Sequence, residues 1–143
     1  MKEDLYKRVE QIARRFCLEE VYAFGSRAKE VAARLRGEIT PTVYRKSDVD
    51  VGVRVKAGAA LGPSERVQIA LEFEDLLEAS RVDLVILQEA DPFMAAEVIR
   101  GEILYVEDLD RQARYELYLL RRAGDLLEFK KERIRMIIEE GAR

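Results

Sequence analysis

Leu5, Val9, Ile12, Ala13 and Phe16 recur at helical spacing, so an amphipathic helix is predicted over residues 3–16. A short strand follows at Val21 to Phe24. Gly25 and Ser26 break it, and RAKEVAARLRG reads as a second helix ending near Gly37. Thr40, Pro41 and Thr42 form a loop. Residues 46–55, KSDVDVGVRV, alternate Val49, Val51, Val53 and Val55 with other residue types, the period of a strand. Gly62, Pro63 and Ser64 open a third helix whose apolar face is read as Val67, Ala70, Leu71 and Leu77, widened by Phe73 and Leu76, stopping near Ser80. RVDLVIL is β-rich. Asp91 and Pro92 open a helix in DPFMAAEVIRG that Gly101 closes, and ILYV is a brief strand. From Asp108 onward, Ala113, Leu117, Leu120, Leu127, Ile134 and Ile138 predict helix, with a break near Gly124. Tyr115, Tyr118, Leu119 and Phe129 lie off that stripe and are expected to be exposed on a monomer. They mark this segment as a contact surface for a protein partner or a second copy.

Four short strands alternating with helices give an α/β (α+β) class, a short sheet packed with helices. The 143 residues suit one domain, read as a core over residues 1–106 with residues 107–143 as a C-terminal helical extension of it. Apolar runs are short and the start, MKEDLYKRVEQ, is polar, so no transmembrane helix or signal peptide is expected and the cytoplasm is the expected compartment.

Composition narrows the chemistry. One cysteine, Cys17, and no histidine exclude an internal disulfide and the usual zinc and iron ligand sets. Oxygen ligation by carboxylates remains, which suits magnesium or manganese. The 25 basic and 28 acidic residues are interspersed, so no basic face for direct nucleic-acid binding is expected.

Within KSDVDVGVRV, Asp48 and Asp50 are two apart on a strand and share a face, where like charges repel. The second D-x-D, Asp108 and Asp110, precedes a helix and is read as a cap. Asp83 interrupts the apolar run Val82 to Leu87, costly unless something pairs with it. A divalent cation would pair with Asp48, Asp50 and Asp83 together, leaving coordination positions for phosphate oxygens and water. Gly25 and Ser26, between a strand and a helix, offer close backbone approach, free N–H groups and a hydroxyl to a phosphate, and Arg27 adds a cation. Neither a Walker loop nor a G-x-G-x-x-G fingerprint is present.

A strand ending in FGS, a helix, a strand opening SDVD, then another helix and a third carboxylate strand together resemble the nucleotidyltransferase superfamily that includes DNA polymerase β and kanamycin nucleotidyltransferase. The resemblance lies in Gly25, Ser26, Asp48, Asp50 and Asp83. The short length and the segment DPFMAAEVIRGEILYV look more particularly like the minimal nucleotidyltransferases, the antitoxin partners of HEPN-domain ribonuclease toxins. Twenty-one residues separate Ser26 from Asp48, more than is usual in that family; the extra length is expected to extend the helix and the following strand away from the site.

That resemblance implies a nucleotidyltransferase fold with a mixed sheet, and transfer of AMP from ATP to a hydroxyl, with two magnesium ions. Asp48 and Asp50 would bind both ions and Asp83 one, while Gly25, Ser26 and Arg27 would hold the leaving phosphates. The implied acceptor is a tyrosine of a HEPN toxin. An aminoglycoside-type small-molecule acceptor and an antitoxin acting by binding alone are the alternatives, and a homo-oligomer is compatible with either.

Overall fold

All seven residues of strand β1 (Leu18–Phe24) are buried, although two of them are glutamates. In the computed structural model, which describes residues 4–38 and 48–141, β1 is an inner strand of a four-stranded mixed sheet. The order is β3 (Arg81–Ile86), β2 (Asp48–Val55), β1, β4 (Glu102–Val106). β1 runs antiparallel to β2 and to β4, and β2 runs parallel to β3.

Helices cover both faces, making three layers. On one face α1 (Leu5–Arg15), α2 (Ala28–Leu35) and α3 (Pro63–Leu77) pack Val9, Ile12, Val31, Ile69 and Phe73 against Val49, Val51 and Val53. On the other, α4 (Pro92–Ile99) and α5 (Leu109–Gly141) bring Ala95, Val98, Ile99 and Leu119 against Tyr22, Phe24 and Leu87. The alternating valines of β2 thus face the first layer, and Asp48, Asp50, Gly52 and Arg54 face the second.

β1 starts at Leu18, three residues before the strand read from the sequence, because Glu19 and Glu20 are neutralised. Glu20, fully buried, accepts two hydrogen bonds from Arg54 at 2.6 Å each, and the Arg54 guanidinium lies 4.2 Å from the centre of the Tyr115 ring. Glu19 accepts from Arg111 at 3.2 Å. Gln112 donates to the Tyr22 hydroxyl at 3.0 Å, and burial pushes that phenol up to about 12. Charge-assisted pairs of this kind offset the cost of burying a carboxylate. They also fasten the first half of α5 to the sheet.

Two other expectations are corrected. The buried face of α3 is Ile69, Phe73, Leu76 and Leu77, whereas Val67 and Leu71 are exposed. α5 is one 33-residue helix with no break at Gly124, and Leu119, expected outside, is buried, while Tyr115 packs against the second core and Tyr118 and Phe129 are exposed. Asp91 caps α4 by accepting from Phe93 and Met94 N–H, and Asp108 caps α5 by accepting from Arg111 N–H at 3.0 Å. The Thr40–Thr42 loop lies outside the described residues. Among the described residues no helix is long and apolar enough to cross a membrane.

Candidate active site

Phe24, the last residue of β1, stands opposite Asp50 in the antiparallel register, so the chain turns at Gly25 directly beside that carboxylate. Gly25 has φ +77°, a conformation that favours glycine, and begins a short 3-10 turn, Gly25–Arg27, leading into α2. A Cβ placed on Gly25 would lie 2.6 Å from Asp50 Oδ2. The glycine is therefore required twice, by its backbone angle and by the closeness of Asp50.

The carboxylates are aligned by the sheet. In the parallel register Asp50 faces Asp83 and Asp48 faces Arg81, and residues two apart on each strand share a face. The start of β2 and the start of β3 thus place three acids and one base on the α4 and α5 side, at one end of the sheet. Asp48 is exposed and Asp50 and Asp83 are half-buried. Burial first, then the charges of Asp83 and Asp48, hold the Asp50 carboxyl above its usual range.

Arg81 was not singled out in the sequence. Its Nε donates to Asp83 Oδ1 at 3.0 Å, answering the question of what pairs with an acid in that apolar run. The signal was the R-x-D spacing, which puts Arg81 and Asp83 on one face of the strand. Ser26 is exposed on the turn, and its side chain does not cap the helix. The Arg27 guanidinium pairs with Glu30 at 3.3 Å. Part of the long connection between the two motifs is α2, and residues 39–47 lie outside the described residues.

The all-oxygen, multiply anionic donor set fits a hard divalent cation, and the mutual strain on Asp50 is what such a cation would relieve. Among the described residues no three acidic side chains have already converged on one ion position, and Arg81 engages one oxygen of Asp83.

Residues 7–110 match the family model described as polymerase beta, nucleotidyltransferase. The chain belongs to that family. It is a nucleotidyltransferase by that membership, and the Gly25, Ser26, Asp48, Asp50 and Asp83 constellation falls within the matched span.

Solved structures agree on the fold. A mutant MntA–HpeT toxin–antitoxin structure is 20% identical with a TM-score of 0.61, covering 96% of this chain and 98% of the other. A toxin–antitoxin structure with AMP-PNP is 21% identical, TM-score 0.59, with the same coverage, 96% and 98%. A tri-AMPylated Shewanella oneidensis HEPN toxin in complex with its MNT antitoxin is 20% identical, TM-score 0.58, covering 97% of each chain. Comparison with curated protein sequences gives no significant match.

Proposed function

We propose that this nucleotidyltransferase moves AMP from ATP onto a hydroxyl, with magnesium ions held by Asp48, Asp50 and Asp83, and that the acceptor is a tyrosine of a HEPN-domain toxin that the modification silences. The observation that carries the reading is the register pairing of Asp50 with Asp83 beside the Gly25 turn. The acceptor is suggested by the complexes that share the fold, one holding an ATP analogue and one an AMPylated HEPN toxin.

In the proposed step the acceptor oxygen attacks the α-phosphorus, the bond to the bridging oxygen breaks, and pyrophosphate leaves. Such transfers depend mainly on positioning and on neutralising phosphate charge, and bound divalent ions supply that neutralisation. The chain's own residues do the rest. Asp83, once released from Arg81, would accept the hydroxyl proton. Ser26 and the N–H groups of the Gly25–Arg27 turn donate to the departing phosphates, and Arg27 adds its charge. Gly25, lacking a side chain, leaves the approach to Asp50 open.

The test is incubation of the purified chain with ATP, magnesium and a purified HEPN protein encoded beside it, followed by intact-mass analysis of that protein. Addition of whole AMP units by the wild type, lost on adding a chelator and in Asp50→Asn, is the expected outcome. Neutralisation of the toxin with no mass change would overturn the proposal in favour of an antitoxin acting by contact alone.

A further inference from the structure

The second half of α5 runs out from the body of the protein, its last aromatic contact there being the Lys130 ammonium 4.5 Å from the centre of the Phe93 ring. From Leu127 to Glu140 every residue is exposed, including Leu127, Ile134, Ile137 and Ile138, the last at 64%. Together with Leu120, these residues form a narrow aliphatic stripe in which Leu120, Leu127 and Ile134 repeat every seven positions, the spacing of a helix-packing seam. A shallow groove along it is lined by Lys131, Ile134, Arg135, Ile138 and Glu139.

The charges of residues 125–141 sort around this stripe. At about 100° per residue, all four cations, Lys130, Lys131, Arg133 and Arg135, fall within about 100° of Ile134. All five acids, Asp125, Glu128, Glu132, Glu139 and Glu140, fall farther round. The seam is therefore apolar with basic borders, and the far side of the helix carries the acids together with the exposed Phe129 and Met136. Arg135 pairs with Glu132 at 2.6 Å and Lys131 approaches Glu128 at 4.0 Å, but such exposed pairs within one helix are weak and exchangeable.

We propose that this seam docks an amphipathic helix of a different protein whose apolar stripe is bordered by acidic residues. A second copy of the chain would bring basic borders against basic borders, which disfavours self-association. A bilayer would call for a broad continuous apolar face; here Phe129 and Met136 are set apart from the aliphatic stripe, and the exposed acids Glu128 and Glu132 lie close behind it. The inference does not rest on the nucleotidyl-transfer reading, since it concerns a surface on the far part of α5.

The test uses the full chain and two labelled synthetic helical peptides, both with leucine at heptad core positions, one bordered by glutamate and one by lysine. Each is used below the concentration at which it associates with itself. Fluorescence anisotropy should show the glutamate-bordered peptide binding at least about tenfold more tightly, or about 1.4 kcal/mol. The double reversal K131E/R135E should invert that preference, and Ile134→Asp should abolish binding of both, with helicity by circular dichroism unchanged throughout. Equal or absent binding of the two peptides by the wild type would overturn the proposal. So would a preference that survives charge reversal, a dimeric chain by light scattering, or stronger binding to phosphatidylglycerol vesicles than to the acidic peptide.

Discussion

Asp50 on β2 and Asp83 on β3 stand opposite one another in the parallel register, and Arg81 holds Asp83 from two residues upstream. On Asp50, burial and the charges of its acidic neighbours Asp83 and Asp48 all act in the same direction. The two aspartates are thus alike in position and unlike in company. Asp83→Asn frees Arg81 beside Asp50 and should relax the crowding there, while Asp50→Asn leaves the Arg81 pair intact. Both should lose nucleotidyl transfer in the toxin-modification assay; activity kept in either would remove that residue from the proposed site.

Gly25 and Gly58 provide a matched pair, with φ +77° and +82° respectively. Alanine at either incurs a backbone cost of about 1 kcal/mol. Around Gly58 there is nothing within 4 Å of the new methyl, whereas at Gly25 it meets Asp50 Oδ2 at 2.6 Å. Gly58→Ala should therefore lower the thermal midpoint slightly and keep activity. Gly25→Ala should lower activity much more than its loss of stability explains, and parallel behaviour of the two variants would contradict the close-approach role.

Ser26→Ala should reduce turnover without abolishing it. One neutral hydrogen bond is worth roughly 0.5–1.5 kcal/mol, or about a two- to thirteenfold rate effect. Asp50→Ala removes a proposed metal ligand and should leave no measurable transfer. Equal residual rates in the two variants would contradict the division of roles.

The fastening of α5 is testable separately. Glu20→Ala leaves Arg54 half-buried against Tyr115 without its bidentate partner, and breaking such a pair costs about 3–5 kcal/mol. Replacing both residues with apolar ones, Glu20→Leu with Arg54→Met, should recover most of that loss, because a buried pair is often matched by a packed apolar one. Urea melts of the three proteins measure this directly.

What the sequence disclosed and what it withheld follow from the range of the interactions. The valine alternation in β2, the Asp-Pro start of α4 and the glycine turn after β1 are local signals, and each corresponds to an element observed. The three acids could be read together because two share a strand and the third breaks an apolar run. α3 misled because apolar residues lie nearly all round it, so Val67, Ala70 and Leu71 offered a stripe as credible as the buried Ile69, Phe73 and Leu76. Gly124 was read as a break, but flanking helix-forming residues carry a cost of only about 1 kcal/mol. The start of β1 was missed because Glu19 and Glu20 look wrong for a buried strand until Arg54 and Arg111, 34 and 92 positions away, are in place. The same holds for the face of α5 that buries Gln112 and Leu119: it meets a charged network as well as an apolar core.

The repulsion built into β2 has a thermodynamic signature. Because Asp50 is held above the ordinary carboxylate range, the folded chain binds its proton more tightly than the unfolded chain. Ionising it therefore costs stability as pH rises from the ordinary carboxylate value through the raised one. Asparagine keeps the shape and removes that cost, so Asp50→Asn should be at least as stable as the wild type at neutral pH, and the difference should vanish in acid where Asp50 is protonated in both states. Adding magnesium and ATP should reverse the order. A ligand bound only by the folded state stabilises it by about 2.7 kcal/mol at a hundredfold excess over Kd, and the variant should forgo most of this. Thermal melts of both proteins, with and without magnesium and ATP, decide the matter. If Asp50→Asn is strongly destabilised with no ligand present, then Asp50 supports the fold and the carboxylates of β2 are not there to hold a cation.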